Sequence, residues 1–156
     1  MQNLQYLADG KWYYRKREVL LMEYLQKYEE SKYHKIMLAS LSPDGCRILK
    51  GPQDEKRLVE FLEDDFHIGR YEKMLQLVIR EKVEESAREQ VSRLLSPEYL
   101  KKQFCSGETK VSCSYLREVD GRLCPVTAAV FPRRFGEQGE LEEFMVYIIM
   151  EDALPQ

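Results

Sequence analysis

The stretch that most restricts the possible folds is residues 144–150, FMVYIIM, which carries no charge in a 156-residue chain with 33% charged residues. It is far shorter than the roughly 20 residues that cross a bilayer as a helix, and its length and composition are typical of a buried β-strand. Apolar side chains occupy both of its faces: Phe144, Val146, Ile148 and Met150 on one, and Met145, Tyr147 and Ile149 on the other. Strands of one-sided sheets alternate apolar and polar residues. Both faces of this strand are therefore expected to be covered.

A second constraint is the pair Asp120-Gly121, which lies between two apolar stretches and is typical of a two-residue hairpin turn. With these two residues as the loop, the register places Tyr115 opposite Val126, Cys113 opposite Ala128 and Val111 opposite Val130. These side chains share one face of the sheet. The register puts Cys113 and Cys124 on opposite faces, so no disulfide is expected between them.

The remaining pattern predicts a hairpin over residues 35–50, turned at Ser42-Pro43-Asp44-Gly45, with Gly45 taking the positive φ. Residues 52–104 show helical spacing throughout, with Ser96-Pro97-Glu98 as a helix start. Strands are predicted over 109–118, 122–131 and 143–151. We therefore predict an α+β fold, a five-stranded antiparallel sheet with the helices inserted after its second strand.

The first 32 residues predict a separate amphipathic helix before a domain at 33–152. Its apolar face combines aliphatic and aromatic side chains: Leu20, Leu21, Tyr24, Leu25 and Tyr28. This face could cover the second side of the sheet within one chain or across a two-fold axis. We favour the two-fold arrangement, because aromatic-rich faces suit interfaces, and expect a homodimer.

Composition excludes several classes of function. The net charge of −3 disfavours nucleic-acid binding, and no stretch predicts membrane insertion or a signal peptide, so we expect a cytoplasmic protein. The four cysteines form no CxxC pair, and no metal site is expected. His34 and His67 are both expected to be exposed, which leaves no haem ligand, and we predict no cofactor.

The order of these elements resembles that of PAS domains, of the kind that precede diguanylate cyclase or histidine kinase domains in bacterial signalling proteins. The resemblance rests on KIMLASLSPDGCRILKG as the first hairpin, residues 94–104 as the helix before the third strand, and residues 114–152 as the three-strand end. It implies a PAS-like sheet and a sensory role, with this chain as a non-catalytic regulatory part of a larger enzyme such as a diguanylate cyclase.

The favoured hypothesis is a sensory or interaction module that signals through dimer packing and binds a small molecule between sheet and helices. The predicted cavity residues share the helix-facing side of the sheet: Val111, Cys113, Tyr115, Val126 and Ala128. Small side chains at Cys113 and Ala128 would leave room for a ligand. No catalytic residues are assigned. The alternatives are a small cavity-based enzyme or carrier of apolar ligands, and a pure dimerisation domain.

Overall fold

The computed structural model describes residues 32–60, 62 and 68–151. Contacts divide the chain at Lys32 into two units, of which the second, Tyr33–Gln156, contains the described sheet and helices. The predicted N-terminal helix over residues 1–32, with Leu20, Leu21, Tyr24, Leu25 and Tyr28, lies outside the described residues apart from Lys32. His67 also lies outside them.

The described part of the chain forms one five-stranded antiparallel sheet with four α-helices, which confirms the α+β prediction. The strands are β1 (Tyr33–Leu41), β2 (Asp44–Lys50), β3 (Val111–Val119), β4 (Arg122–Phe135) and β5 (Leu141–Met150). The helices are α1 (Gln53–Glu60), α2 (Arg70–Lys82), α3 (Arg88–Leu94) and α4 (Pro97–Cys105), with a 3₁₀ turn at Glu85–Ala87 before α3. The strand order is β2-β1-β5-β4-β3, so β5, which contains the uncharged residues 144–150, lies at the centre.

The β3–β4 hairpin has the register that its turn predicts. Val111 pairs with Val130, Cys113 with Ala128 and Tyr115 with Val126. Asp120 and Gly121 form the loop with φ of 51° and 82°. Both values are positive, as a two-residue turn that matches the strand twist requires.

Two sequence-based details were wrong. The first hairpin turns at Ser42-Pro43, across a cis peptide bond, and Gly45 lies inside β2 opposite Ser40 without a positive φ. Strand β4 continues past Pro132 to Phe135 instead of ending near residue 131. Its register against β5 shifts at Pro132/Arg134 and again at Arg134/Phe135. Such bulges allow a proline, which cannot donate a ladder hydrogen bond, to remain within a strand.

Ion pairs stabilise this extension of β4. Arg133 Nε lies 3.0 Å from a carboxylate oxygen of Glu143, and Arg134 Nε lies 3.0 Å from Glu142. Arg134 also donates to the carbonyl oxygen of Ser42 at 2.8 Å, which joins the end of β4 to the first turn. Residues 132–135, which lie beyond the strand predicted over 122–131, thus form the last part of β4.

The helices pack on one face of the sheet, which we call the inner face. Helix α4 begins as the sequence predicts, with the Ser96 side chain accepting a hydrogen bond from Tyr99 N and Pro97 in the first turn. One apolar core joins the helices to the inner face. It includes Tyr71, Met74, Val91, Leu100 and Phe104 of the helices, and Met37, Ala39, Val126, Val130, Phe144, Val146 and Ile148 of the strands.

Candidate functional site

The space between the sheet and helices α2 and α3 is a cavity of only about 30 Å³. We call it the inner cavity. A water molecule needs roughly 10–15 Å³ of such volume, so it has room for about two waters. The Tyr71 hydroxyl, on its wall, donates to the carbonyl oxygen of Leu95 at 2.7 Å. The interior of this domain is therefore close to filled by its own side chains.

The predicted cavity residues separate into two groups. Tyr115 lines the inner cavity, whereas Val111, Cys113, Val126 and Ala128 are buried in the apolar core and are not among the residues that line it. The small side chains at Cys113 and Ala128 belong to the same core cluster as the bulky Leu100 and Phe104 of α4. A ligand-binding role for the five residues remains a prediction.

A buried cluster of charged side chains, Lys35, Glu55 and Arg117, lies at one end of the inner face. Glu55 accepts hydrogen bonds from Lys35 Nζ at 2.8 Å and from Arg117 Nη2 at 2.6 Å. Their side chains are 5%, 0% and 1% exposed in that order. Burial by itself raises the pKa of Glu55. The two neighbouring cations outweigh this effect and lower the pKa to about 2, from an ordinary value of 4.5. The carboxylate therefore stays ionised and links β1, α1 and β3.

The sequence did not predict this cluster, although the strand pattern already places Arg117 and Lys35 at inward positions. Arg117 has the same parity as Cys113 and Tyr115 in the predicted β3, so the register already directed it toward the helices. Lys35 likewise shares the parity of the buried Met37. A charged residue at an inward position predicts a buried partner. Glu55 gave no such signal, because it is one of several charged residues in the first turns of α1.

The opposite face of the sheet, which we call the outer face, carries many apolar side chains and a polar pair near β3, where Ser114 and Thr127 share a hydrogen bond of 2.8 Å. Four large hydrophobic side chains on it are exposed: Leu49, Leu116, Leu123 and Phe131. Others on the same face are half-buried: Tyr33, Ile36, Leu38, Met145, Tyr147 and Ile149. The rings form a row across three strands, with Tyr147 centred 5.4 Å from Tyr33 and 5.8 Å, edge-on, from Phe131. This face has the chemistry of an interface rather than of a solvated sheet.

His34 differs from its prediction. It is half-buried rather than exposed, and its Nε2 atom has no hydrogen-bond partner among the described residues. Burial, with the nearby Arg117 charge, lowers the pKa of His34. The pairing of β1 with β5 is irregular between Tyr33 and Lys35, on either side of His34, and irregularities of this kind redirect side chains.

The cysteines are all free thiols. Burial raises the pKa of Cys46 and of Cys113 to about 11, which disfavours the nucleophilic thiolate at both positions. Among residues 32–60, 62 and 68–151, no group of three His, Cys, Asp or Glu side chains is arranged to hold a metal ion. No helix in the described ranges has the length and apolar character needed to cross a membrane.

Comparison with protein-family models finds no match for this chain, and comparison with curated proteins likewise finds none.

Proposed function

We propose that this chain is a PAS-like, non-catalytic interaction module of a cytoplasmic bacterial signalling protein. The module transmits a signal through packing on its outer face. The order of elements supports the PAS-like assignment. A hairpin, a block of inserted helices and a three-strand meander form one antiparallel sheet, as the sequence resemblance implied.

The observation that carries this proposal is the difference between the two faces of the sheet. The inner face is closed by four helices and leaves a cavity of about 30 Å³. On the outer face, Phe131, which is 38% accessible, belongs to the aromatic row, and Leu116, which is 40% accessible, lies nearer the β3–β4 turn. Large exposed apolar patches on a protein surface commonly mark sites of interaction. The outer face, rather than the inner cavity, is therefore suited to binding a macromolecular partner.

The partner we favour for the outer face is a second copy of this chain. A two-fold axis brings the same patch against itself, so one apolar face is enough to make a self-complementary interface. The other residues that the sequence predicts for the dimer interface lie in the stretch before β1: Leu20, Leu21, Tyr24, Leu25 and Tyr28.

The size of the inner cavity disfavours the carrier and enzyme alternatives. Sites for cofactors and drug-sized ligands usually enclose about 300–1,000 Å³, about ten times or more the volume found here. A ligand at Tyr115 would require α2 or α3 to move away from the sheet. A pure dimerisation domain uses the same outer face and is the simpler form of the same proposal.

The experiment compares two matched variants of the full chain by sedimentation velocity over a concentration series. Phe131→Ser removes an exposed ring that contacts Tyr147 on the outer face, and Phe135→Ser removes a similarly exposed ring four residues further along β4. Burying a Phe side chain contributes roughly 1.5–3 kcal/mol, and symmetry doubles the loss. Phe131→Ser should raise the dimer Kd at least about tenfold, and Phe135→Ser should raise it less than about threefold. A monomeric wild-type chain at high micromolar concentration, or equal effects of the two variants, would contradict the proposal.

A further inference from the structure

A second cavity, which we call the polar cleft, lies where the start of β1, the start of α1, the end of α2 and the β3–β4 turn meet. Its volume is about 150 Å³, several times that of the inner cavity. Titratable side chains supply most of its lining: His34, Asp54, Lys82, Arg117, Glu118 and Asp120. An engineered cavity of this size holds a molecule such as benzene, which has six heavy atoms. The polar cleft therefore has room for a small polar ligand.

The floor of the polar cleft is Arg117, whose side chain is 1% exposed and also lines the inner cavity. Its Nη2 donates to Glu55, and its Nε donates to the carbonyl oxygen of Glu118 at 3.0 Å. Its Nη1 has no acceptor among the residues that the structure describes. A buried guanidinium donor without an acceptor is costly, and a carboxylate is the acceptor that guanidinium binds best.

The net charge of the buried cluster below the polar cleft also favours a carboxylate as the ligand group. Lys35 and Arg117 are two buried cations, and Glu55 is the single carboxylate between them. The cluster therefore has a net charge of +1 in surroundings where charge is poorly screened. Burial and the Arg117 charge lower the pKa of His34, so its ring is neutral near pH 7 and free to accept or donate a hydrogen bond.

The rim of the polar cleft has the opposite sign. Lys82 bridges Asp54 at 3.0 Å and Glu118 at 2.9 Å, and Asp120 adds a third carboxylate at the turn. Three carboxylates and one ammonium give the rim a net charge of −2. A ligand with two negative charges would meet repulsion here, whereas an ammonium group would be attracted.

We propose that the polar cleft binds a small zwitterionic carboxylate of the α-amino acid class. The ligand carboxylate accepts a hydrogen bond from Arg117 Nη1 at the floor, and the ligand ammonium pairs with Asp120 at the rim. The volume restricts the side chain to a small one, such as that of alanine. This inference does not depend on the partner of the outer face.

The test uses L-alanine and the two molecules that remain when either of its charged groups is deleted. Propionate lacks the ammonium group and ethylamine lacks the carboxylate. Each is titrated into the ¹⁵N-labelled full chain at constant pH and ionic strength, with inorganic phosphate as a dianionic comparison. L-alanine should shift the amide signals of Val119, Asp120 and Gly121 saturably. Propionate and ethylamine should each bind at least about tenfold more weakly, because each loses one charge-assisted contact.

A matched pair of charge-neutralising variants locates the ammonium site. Asp120→Asn keeps a residue that tolerates the positive φ of the turn, and should weaken L-alanine binding about tenfold while leaving propionate unchanged. Glu137→Gln removes the same charge at the exposed β4–β5 turn and should change the binding of neither L-alanine nor propionate. The assignment is overturned if L-alanine gives no saturable shift at these amides, if propionate or phosphate binds as tightly, or if Asp120→Asn has no effect. A water molecule on Arg117 Nη1 would then account for the buried donor.

Discussion

Replacing Glu55 with Gln should destabilise this domain strongly. The side chain keeps its size but loses the charge that compensates two buried cations, Lys35 at 2.8 Å and Arg117 at 2.6 Å. All three side chains are at most 5% exposed, so water cannot replace the lost carboxylate. Removing one partner of a buried ion pair typically costs about 3–5 kcal/mol, and here one carboxylate serves two partners. Urea unfolding followed by circular dichroism, at fixed protein concentration, measures the change in the free energy of unfolding.

Lys35→Met is the matched control. It also removes one charge from the cluster, but it lowers the net buried charge, whereas Glu55→Gln raises it. The cluster then contains one carboxylate and one guanidinium, and its net charge falls from +1 to zero. The methionine can pack beside Met37 and Ile48 on the inner face. We expect Lys35→Met to cost at least about 2 kcal/mol less than Glu55→Gln, since no uncompensated charge remains buried. A cost for Glu55→Gln below about 1 kcal/mol, or a larger cost for Lys35→Met, would refute this account of the cluster.

Three further predictions concern acid stability, the core and the hairpin turn. The pKa of Glu55 is lowered to about 2 from 4.5, so its contribution to stability is complete above pH 4.5 and should be lost as the pH falls toward 2. Acid titration of Glu55→Gln should show a smaller loss of stability, because only the other carboxyl groups with a lowered pKa, such as Asp54 and Glu118, still contribute. Cys113→Trp should overpack the core and cost about 1–3 kcal/mol in urea unfolding, whereas Cys105→Trp, at an exposed site, should cost less than about 0.5 kcal/mol. Gly121→Ala should cost about 1–2 kcal/mol by thermal unfolding, because φ is 82° there, while Gly45→Ala, with nothing within 4 Å of the added methyl, should be neutral or slightly stabilising.

The sheet was predictable because its signals are local and periodic. The Asp120-Gly121 turn fixes the register of β3 against β4, since a two-residue loop permits only one pairing. The seven uncharged residues 144–150 identify the central strand, which is covered by neighbours on both edges. Ser96 and Pro97 mark the start of α4 because a cap and a first-turn proline satisfy specific backbone requirements.

The charged cluster and the polar cleft were not predictable in the same way. Lys35, Glu55 and Arg117 are far apart in sequence and meet only because α1 packs over the end of the sheet. The extension of β4 is accompanied by ion pairs between Arg133, Arg134 and two glutamates of β5, and these pairs form only once the β4–β5 register is set. Cys113 and Ala128, which the sequence assigned to a ligand cavity, are buried in the core between sheet and helices, and their role in ligand binding stays a prediction.

The most direct test of the central claim is an isotope-filtered NOESY experiment on the full chain, with methyl-labelled and unlabelled copies mixed in equal amounts. The experiment detects only contacts between copies. A dimer packed through the outer face should give intermolecular signals from the methyl groups of Leu38, Met145 and Ile149, which lie beside the aromatic row. The absence of intermolecular signals at a concentration where wild-type sedimentation shows a dimer, or signals confined to residues away from the outer face, would contradict the claim.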